Sequence, residues 1–288
     1  MKTLLLGKSG FLGSYFDRFL SDLDAETAQA FKYLSKESLN CPRFTNESDI
    51  RGYLEGIEFD LIINCIALAN IEKCEEDPSL AGWLNRDVPK ILAQHAGIKG
   101  KKIVHFSTDA IYSNENQMRA ENSKHLAHSV YARSKLEGEE AVSKNCVDWQ
   151  IYRINFFGNN PRGTSLFNYL ISQLRENRQI TGFTDNYFNP IFAGQLAKIV
   201  LENLDSLGTG IYNLGSKEPL SKFDFAKEVA EVFGFDSDLV RADTLQSRNS
   251  GNLRTLNLAM DISKIESHGI VLPNVTDGLD SLRKEMGA

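Results

Sequence analysis

The sequence predicts an α/β fold: a doubly wound parallel sheet followed by a smaller C-terminal α/β lobe. Short apolar runs alternate with helical spacing through the first half of the chain, a glycine-rich turn follows the first run, and the texture changes after Phe157-Gly158. Strands of a parallel sheet read as continuous apolar runs because helices cover both of its faces. With 288 residues, 42% hydrophobic and 24% charged, the chain has ample core for one large domain or two smaller ones.

Residues 3–6 are apolar and end at Gly7, as a buried strand entering a turn would. Residues 14–22 carry Tyr15, Phe16, Phe19 and Leu20 at helical spacing. Further strand-like runs lie at 31–34, 61–65, 102–106 and 150–154, each followed by polar or helical sequence. After a loop at 159–163, helices are expected at 165–177 and 191–204, with a strand at 211–214 after Gly208-Thr209-Gly210. A helix over 223–233 is stopped by Gly234, and a last helix over 275–286 is opened by Thr276-Asp277. The expected division is a dinucleotide-binding domain over 1–157, rejoined by part of 184–210, and a substrate lobe over 158–288.

The net charge of −6 leaves no basic field for nucleic acid or an anionic membrane surface. Only four apolar or hydroxyl residues separate Met1-Lys2 from Gly7, too few for a secretory or spanning segment, so a cytoplasmic protein is expected. The four cysteines, Cys41, Cys65, Cys74 and Cys146, lack paired metal spacing, and the histidines offer no ligand set. No metal is expected, and His105, in an apolar run, reads as a packing residue.

Gly7, Gly10 and Gly13 give the pattern G-x-x-G-x-x-G directly after the first strand. Gly7 permits the tight turn, Gly10 lets backbone approach a pyrophosphate, and Gly13 admits close packing of helix on strand, as in Rossmann dinucleotide sites. Ser9, Phe11 and Leu12 complete the turn, and the following helix presents its positive end to phosphate. A triphosphate-binding G-x-x-x-x-G-K-[ST] loop is absent. The second strand ends without an acidic residue for a ribose 2′-hydroxyl. It offers Ser35 and Lys36, with Arg43 nearby, which favours NADPH and leaves NADH open. Ile66 and Ala67, after Asn64, would pass close to the adenosine ribose and pyrophosphate. Asn85, in a helical pattern, is read as a further cofactor contact or as a partner for backbone groups.

Tyr131 and Lys135, four residues apart, lie on one face of a helix, downstream of Ser107-Thr108-Asp109 at the end of a strand. A free phenol ionises near ~10, and a neighbouring ammonium lowers that value. Lys135 is therefore expected to lower the pKa of Tyr131, with Thr108 holding the same substrate oxygen and Asp109 beside it. That is an apparatus for carbonyl reduction.

The opening glycine turn, the stretch from Asn64 to Glu75, and Tyr131-Ala-Arg-Ser-Lys135-Leu-Glu-Gly-Glu139 together resemble the extended short-chain dehydrogenase/reductase family, in particular its dTDP-4-dehydrorhamnose reductase branch. Residues 210–215 and 257–261 are similar to that branch's substrate lobe. The resemblance implies Thr108, Tyr131 and Lys135 as the catalytic trio and the C4 ketone of a deoxyhexose on a nucleoside diphosphate as substrate. Arg254 is the candidate for the diphosphate, since a guanidinium fork suits phosphate oxygens. The chain departs from the branch at Ala110-Ile111-Tyr112, where an aromatic wall is usual, and at Asn189-Pro190. Epimerase, dehydratase and non-catalytic NADP-binding regulatory roles exist in the same superfamily and stay open here, as does a homodimer.

Overall fold

The computed structural model describes residues 1–21, 32–33, 45–113, 118–160, 162–246 and 256–287. Strand β1 (Lys2–Leu6) leads into α1 (Phe11–Ser21), and β2 (Lys32–Tyr33) follows. Next come α2 (Glu47–Glu55), β3 (Leu61–Asn64), α3 (Ile71–Glu76) and α4 (Pro78–Gly82). A π-helical turn at Trp83–Asp87 joins α4 to α5 (Val88–Ile98). Strand β4 (Lys102–Thr108), helix α6 (Val130–Asn145) and β5 (Trp149–Ile154) continue the alternation.

The main sheet has the order β10-β5-β4-β3-β1-β2, where β10 is Gly210–Leu214. Strand β1 is parallel to β2 and to β3, and β3 is parallel to β4. Helices cover both faces, which is the doubly wound α/β fold. On one face, Ile50 and Leu54 of α2, Ile91 and Leu92 of α5, and Val142 of α6 pack with Leu4, Leu6, Ile62, Ile103 and Ile151. Successive strand residues point to opposite faces, so Phe106 looks the other way. There it meets Phe16 of α1 at 5.2 Å and Tyr152 at 6.1 Å between ring centroids.

The chain divides into two compact units, one of residues 1–111, 127–153 and 200–212, the other of 112–126, 154–199 and 213–288. The sequence expectation put a boundary at 157, with part of 184–210 rejoining the first domain, and did not foresee that 112–126 belongs with the second unit. In that unit β7 (Ile180–Phe183) pairs in parallel with β12 (Val240–Asp243), and β8 (Tyr187–Phe188) pairs antiparallel with β11 (Leu220–Ser221). Its helices include α7 (Leu166–Arg175), α9 (Lys222–Val232) and α11 (Val275–Glu285). Phe225 is its aromatic centre, 5.3 Å from Phe157 and 5.4 Å from Phe188 in edge-on geometry.

Two element expectations change. Ile191 and Phe192 do not begin a helix but form β9, which pairs with β6 (Phe156–Phe157), and helix α8 starts at Ala193. The last helix opens at Asn274, whose N–H donates to the Asp277 carboxylate at 3.2 Å, rather than at Thr276-Asp277.

Candidate active site

Parallel strands finish on one edge, and the register puts Leu6 opposite Asn64 and Asn64 opposite His105. Gly7, Cys65 and the Phe106–Thr108 end of β4 therefore gather along that edge, where open α/β sheets bind ligands. Gly7 has φ +82°, and a Cβ there would sit 2.8 Å from the Cys65 carbonyl carbon. Gly10 donates its N–H to Gly7 O at 2.9 Å. A Cβ on Gly13 would lie 2.2 Å from Gly7 O, so α1 can approach β1 this closely only with glycine there. Ser9 is exposed and Phe11 half-buried, while Leu12 is buried and leaves its backbone for a ligand. The first turn of α1 carries no acidic side chain to repel phosphate.

The segment after β3 is held from inside. Asn64 Oδ1 accepts from Ile66 N at 3.1 Å, leaving Ile66 half-buried and Ala67 exposed. Asn85, fully buried in the π-helical turn, accepts from Leu68 N at 2.8 Å. Its amide donates to Leu68 O at 3.0 Å and to Ser134 Oγ at 2.9 Å. Of the two readings of Asn85, these partners match that of a partner for backbone groups: its carboxamide shapes the loop at Leu68 and ties it to α6. Gly138 makes this approach possible, since a Cβ there would lie 2.1 Å from Asn85 O.

Helix α6 is started by Ser129, whose hydroxyl accepts from Ala132 N at 3.1 Å, and by Glu75, which takes the Val130 N–H at 2.7 Å. It carries both Tyr131 and Lys135. The Thr108 hydroxyl lies beside the Tyr131 phenol and favours its ionised form. The same hydroxyl donates to Asp109 Oδ1 at 3.1 Å and accepts from Ala110 N at 3.2 Å. Thr108 and Asp109 are buried. Burial pushes the Tyr131 phenol up to about 12; the Thr108 hydroxyl works against this, and the Asp109 carboxylate adds to it. Tyr131 is thus a proton carrier at neutral pH.

Lys135 is buried, and its Nζ donates to Phe106 O and lies 3.4 Å from His105 Nε2. Burial brings its pKa down to about 8, partly offset by Glu139 and Cys65. The expectation that Lys135 lowers the Tyr131 pKa does not hold in this arrangement: Lys135 Nζ is turned to β4, and burial governs the phenol. Glu139 is itself bound by Arg153, with Nη2 2.7 Å from Oε2, both fully enclosed. Sequence reasoning missed this pair, although Glu139 follows Lys135 at the helical spacing of four.

It also read His105 as packing, whereas the ring bridges Asn64 and Lys135. Residues 210–215 and 257–261, similar in sequence to a substrate lobe, are joined through Asn213. Its amide donates to Arg119 O at 2.7 Å and Asp261 O at 2.9 Å, and its Oδ1 accepts from Tyr112 at 2.6 Å. Ser35, Lys36, Arg43 and Arg254 lie outside the described residues. Among the described residues no group of His, Cys, Asp and Glu could hold a metal ion, and no helix is long and apolar enough to cross a membrane.

Known proteins are similar to most of this chain. A probable low-salt glycan biosynthesis reductase of Haloferax volcanii is 27% identical over 98% of this chain and 97% of its own. The dTDP-4-dehydrorhamnose reductase of Escherichia coli is 26% identical over 80% of this chain and 78% of its own. A dTDP-4-dehydrorhamnose reductase from Bacillus anthracis, solved in complex with NADP, superposes with a TM-score of 0.85 over 99% of both chains at 21% identity. The sequence matches the family described as RmlD substrate binding domain over residues 1–287, and with the whole chain so covered the protein belongs to that family.

Proposed function

We propose that the protein is a reductase of the C4 ketone of a nucleoside-diphosphate 4-keto-6-deoxyhexose, with NADPH as reductant. The observation that carries the reading is the placing of the buried Thr108, at the end of β4, beside Tyr131, with Lys135 one helical turn further on α6. The names of the relatives support it, and the bound NADP of the Bacillus anthracis enzyme supports the cofactor. The glycine turn fits such a cofactor: a Cβ on Gly10 would meet only Gly7 O, at 3.0 Å, so the space a side chain would take is free for phosphate.

When bound, NADPH supplies the hydride that reduces the ketone carbon. Tyr131, protonated at neutral pH, gives its proton to the forming alkoxide, and Thr108 holds the same oxygen in place. Lys135 would hold the nicotinamide ribose of the bound cofactor. A dehydratase would want a second carboxylate after Asp109, where the chain has Ala110.

The test follows NADPH absorbance with a panel of nucleoside-diphosphate 4-keto-6-deoxyhexoses, with the product identified by NMR. The expected product is the C4 alcohol. Tyr131→Phe should lower kcat by about 10²–10⁴-fold while leaving NADPH affinity near wild type. An epimerised ketone, or near-normal turnover by Tyr131→Phe, overturns the mechanism.

A further inference from the structure

The chain Ile66–Asn64–His105–Lys135 carries information about protonation that none of its members holds alone. Asn64 Oδ1 accepts from Ile66 N at 3.1 Å, which fixes the orientation of its amide. Its Nδ2 therefore faces His105 Nδ1, at 3.1 Å, and donates to it. A ring nitrogen that accepts carries no proton, so neutral His105 holds its hydrogen on Nε2. Burial keeps the ring neutral, well below the usual histidine range.

That Nε2–H is directed at Lys135 Nζ, 3.4 Å away. Nζ has one further hydrogen-bond partner, the Phe106 carbonyl. An ammonium has three donors and no acceptor, so it would oppose N–H to N–H and leave two hydrogens unmatched in a buried place. An amine has a lone pair to accept the His105 hydrogen and still donates to Phe106 O. The charged or titratable groups around Nζ are His105 of β4, Glu139 of α6 and Cys65 after β3; Glu139 is already paired with Arg153. The Cys65 thiol is pushed up by burial and adds no charge.

We infer that His105, locked as its Nε2–H tautomer by Asn64, is a positioning residue: the seat of Lys135 on His105 and the Phe106 carbonyl is the seat of its uncharged amine, which protonation drives out. The inference rests on the proposed role of Lys135 for its meaning in catalysis, but not for its test. Burial brings the proton exchange of Lys135 into the working pH range, the His105 hydrogen on β4 holds the uncharged form in its seat, and Lys135 leaves β4 when it becomes charged. An ammonium so released is free for the ribose side, one turn from Tyr131.

The test is NMR on the intact protein without cofactor, so it is blind to whether the substrate reading is right. With ¹⁵N-labelled histidine, His105 should show a pyridine-like Nδ1 and a pyrrole-like Nε2. Its Nε2 shift should move with the Lys135 midpoint, near 8, rather than with a histidine's own. With ¹³Cε-labelled lysine, the Lys135 midpoint should rise in His105→Phe and in His105→Gln to roughly 9–10, toward the free value of about 10.4. A pyrrole-like Nδ1 in the wild type, or a Lys135 midpoint unmoved in both variants, overturns the inference. The tautomer measurement needs no variant and decides the matter even if a core substitution at His105 fails to fold. An inactive enzyme with the expected shifts would overturn the catalytic reading alone.

Discussion

At the scale of the residue, Lys135 pairs function against stability. A lysine whose folded pKa lies near 8 against an ordinary 10.5 binds fewer protons folded than unfolded between those values. Wild-type stability therefore rises with pH through that window, and below pH 8 the protonation of Lys135 in the folded protein is a standing penalty, whether the charge stays buried or leaves its seat. Lys135→Met should remove it, making the protein more stable at pH 7 by the order of 2 kcal/mol and inactive. The difference should close as pH approaches 10.5. Urea denaturation of both proteins at pH 7 and pH 10 checks this; a Lys135→Met protein less stable than wild type at pH 7 refutes it. Lys36 and Arg43 act at the same scale. Should they grip a 2′-phosphate, Lys36→Ala or Arg43→Ala weakens NADPH by roughly 1.5–3 kcal/mol and hardly touches NADH. Equal weakening of both cofactors, measured by fluorescence titration, would remove them from the site.

At the scale of the element, the active site is a matter of how closely α6 sits on its neighbours. A Cβ at Gly138 would lie 2.1 Å from Asn85 O, so Gly138→Ala must push α6 away from the π-helical turn. The expected destabilisation is about 1–3 kcal/mol. A larger fall in kcat should accompany it, because Tyr131 and Lys135 ride on that helix and small misplacements of reacting groups slow chemistry about 10²-fold. Gly52, inside α2 with nothing within 4 Å, is the control: Gly52→Ala should stabilise by roughly 0.5–1 kcal/mol. Thermal melts of the pair decide it, and similar shifts of the same sign would refute the packing argument. What was legible in the sequence has a physical pattern. Strands β1, β3, β4 and β5 are continuous apolar runs because they are buried on both faces, and Tyr131 with Lys135 announces one helical face. The pairing of β7 with β12 was not legible: four residues each, sixty apart, they acquire meaning only from contact. Nor was the surrounding of Lys135, which is buried on α6 against a His that an Asn of the neighbouring strand holds by register. Asn85 looked like a ligand because its type suits one, and only its partners reveal that it supports a loop.

At the scale of the whole molecule, net charge constrains where substrate can be held. A chain of charge −6 repels a nucleoside diphosphate at long range, so binding needs cations close to the phosphates. The cofactor turn belongs to one compact unit, together with Thr108, Tyr131 and Lys135. Arg254 falls in the other, within 213–288, just before the 257–261 strap that Asn213 ties to the backbone of Arg119. Arg254→Ala should raise the KM for a nucleotide sugar and leave NADPH affinity unchanged, with a smaller fall in kcat unless the diphosphate also orients the ketone. Isothermal titration with a free nucleoside diphosphate separates the two effects. Wild type should bind more weakly as salt is raised, and the variant should bind weakly at every salt concentration with less dependence on it. Equal affinity and equal salt dependence in both proteins would remove Arg254 from the substrate site and leave it as a surface ion-pair residue.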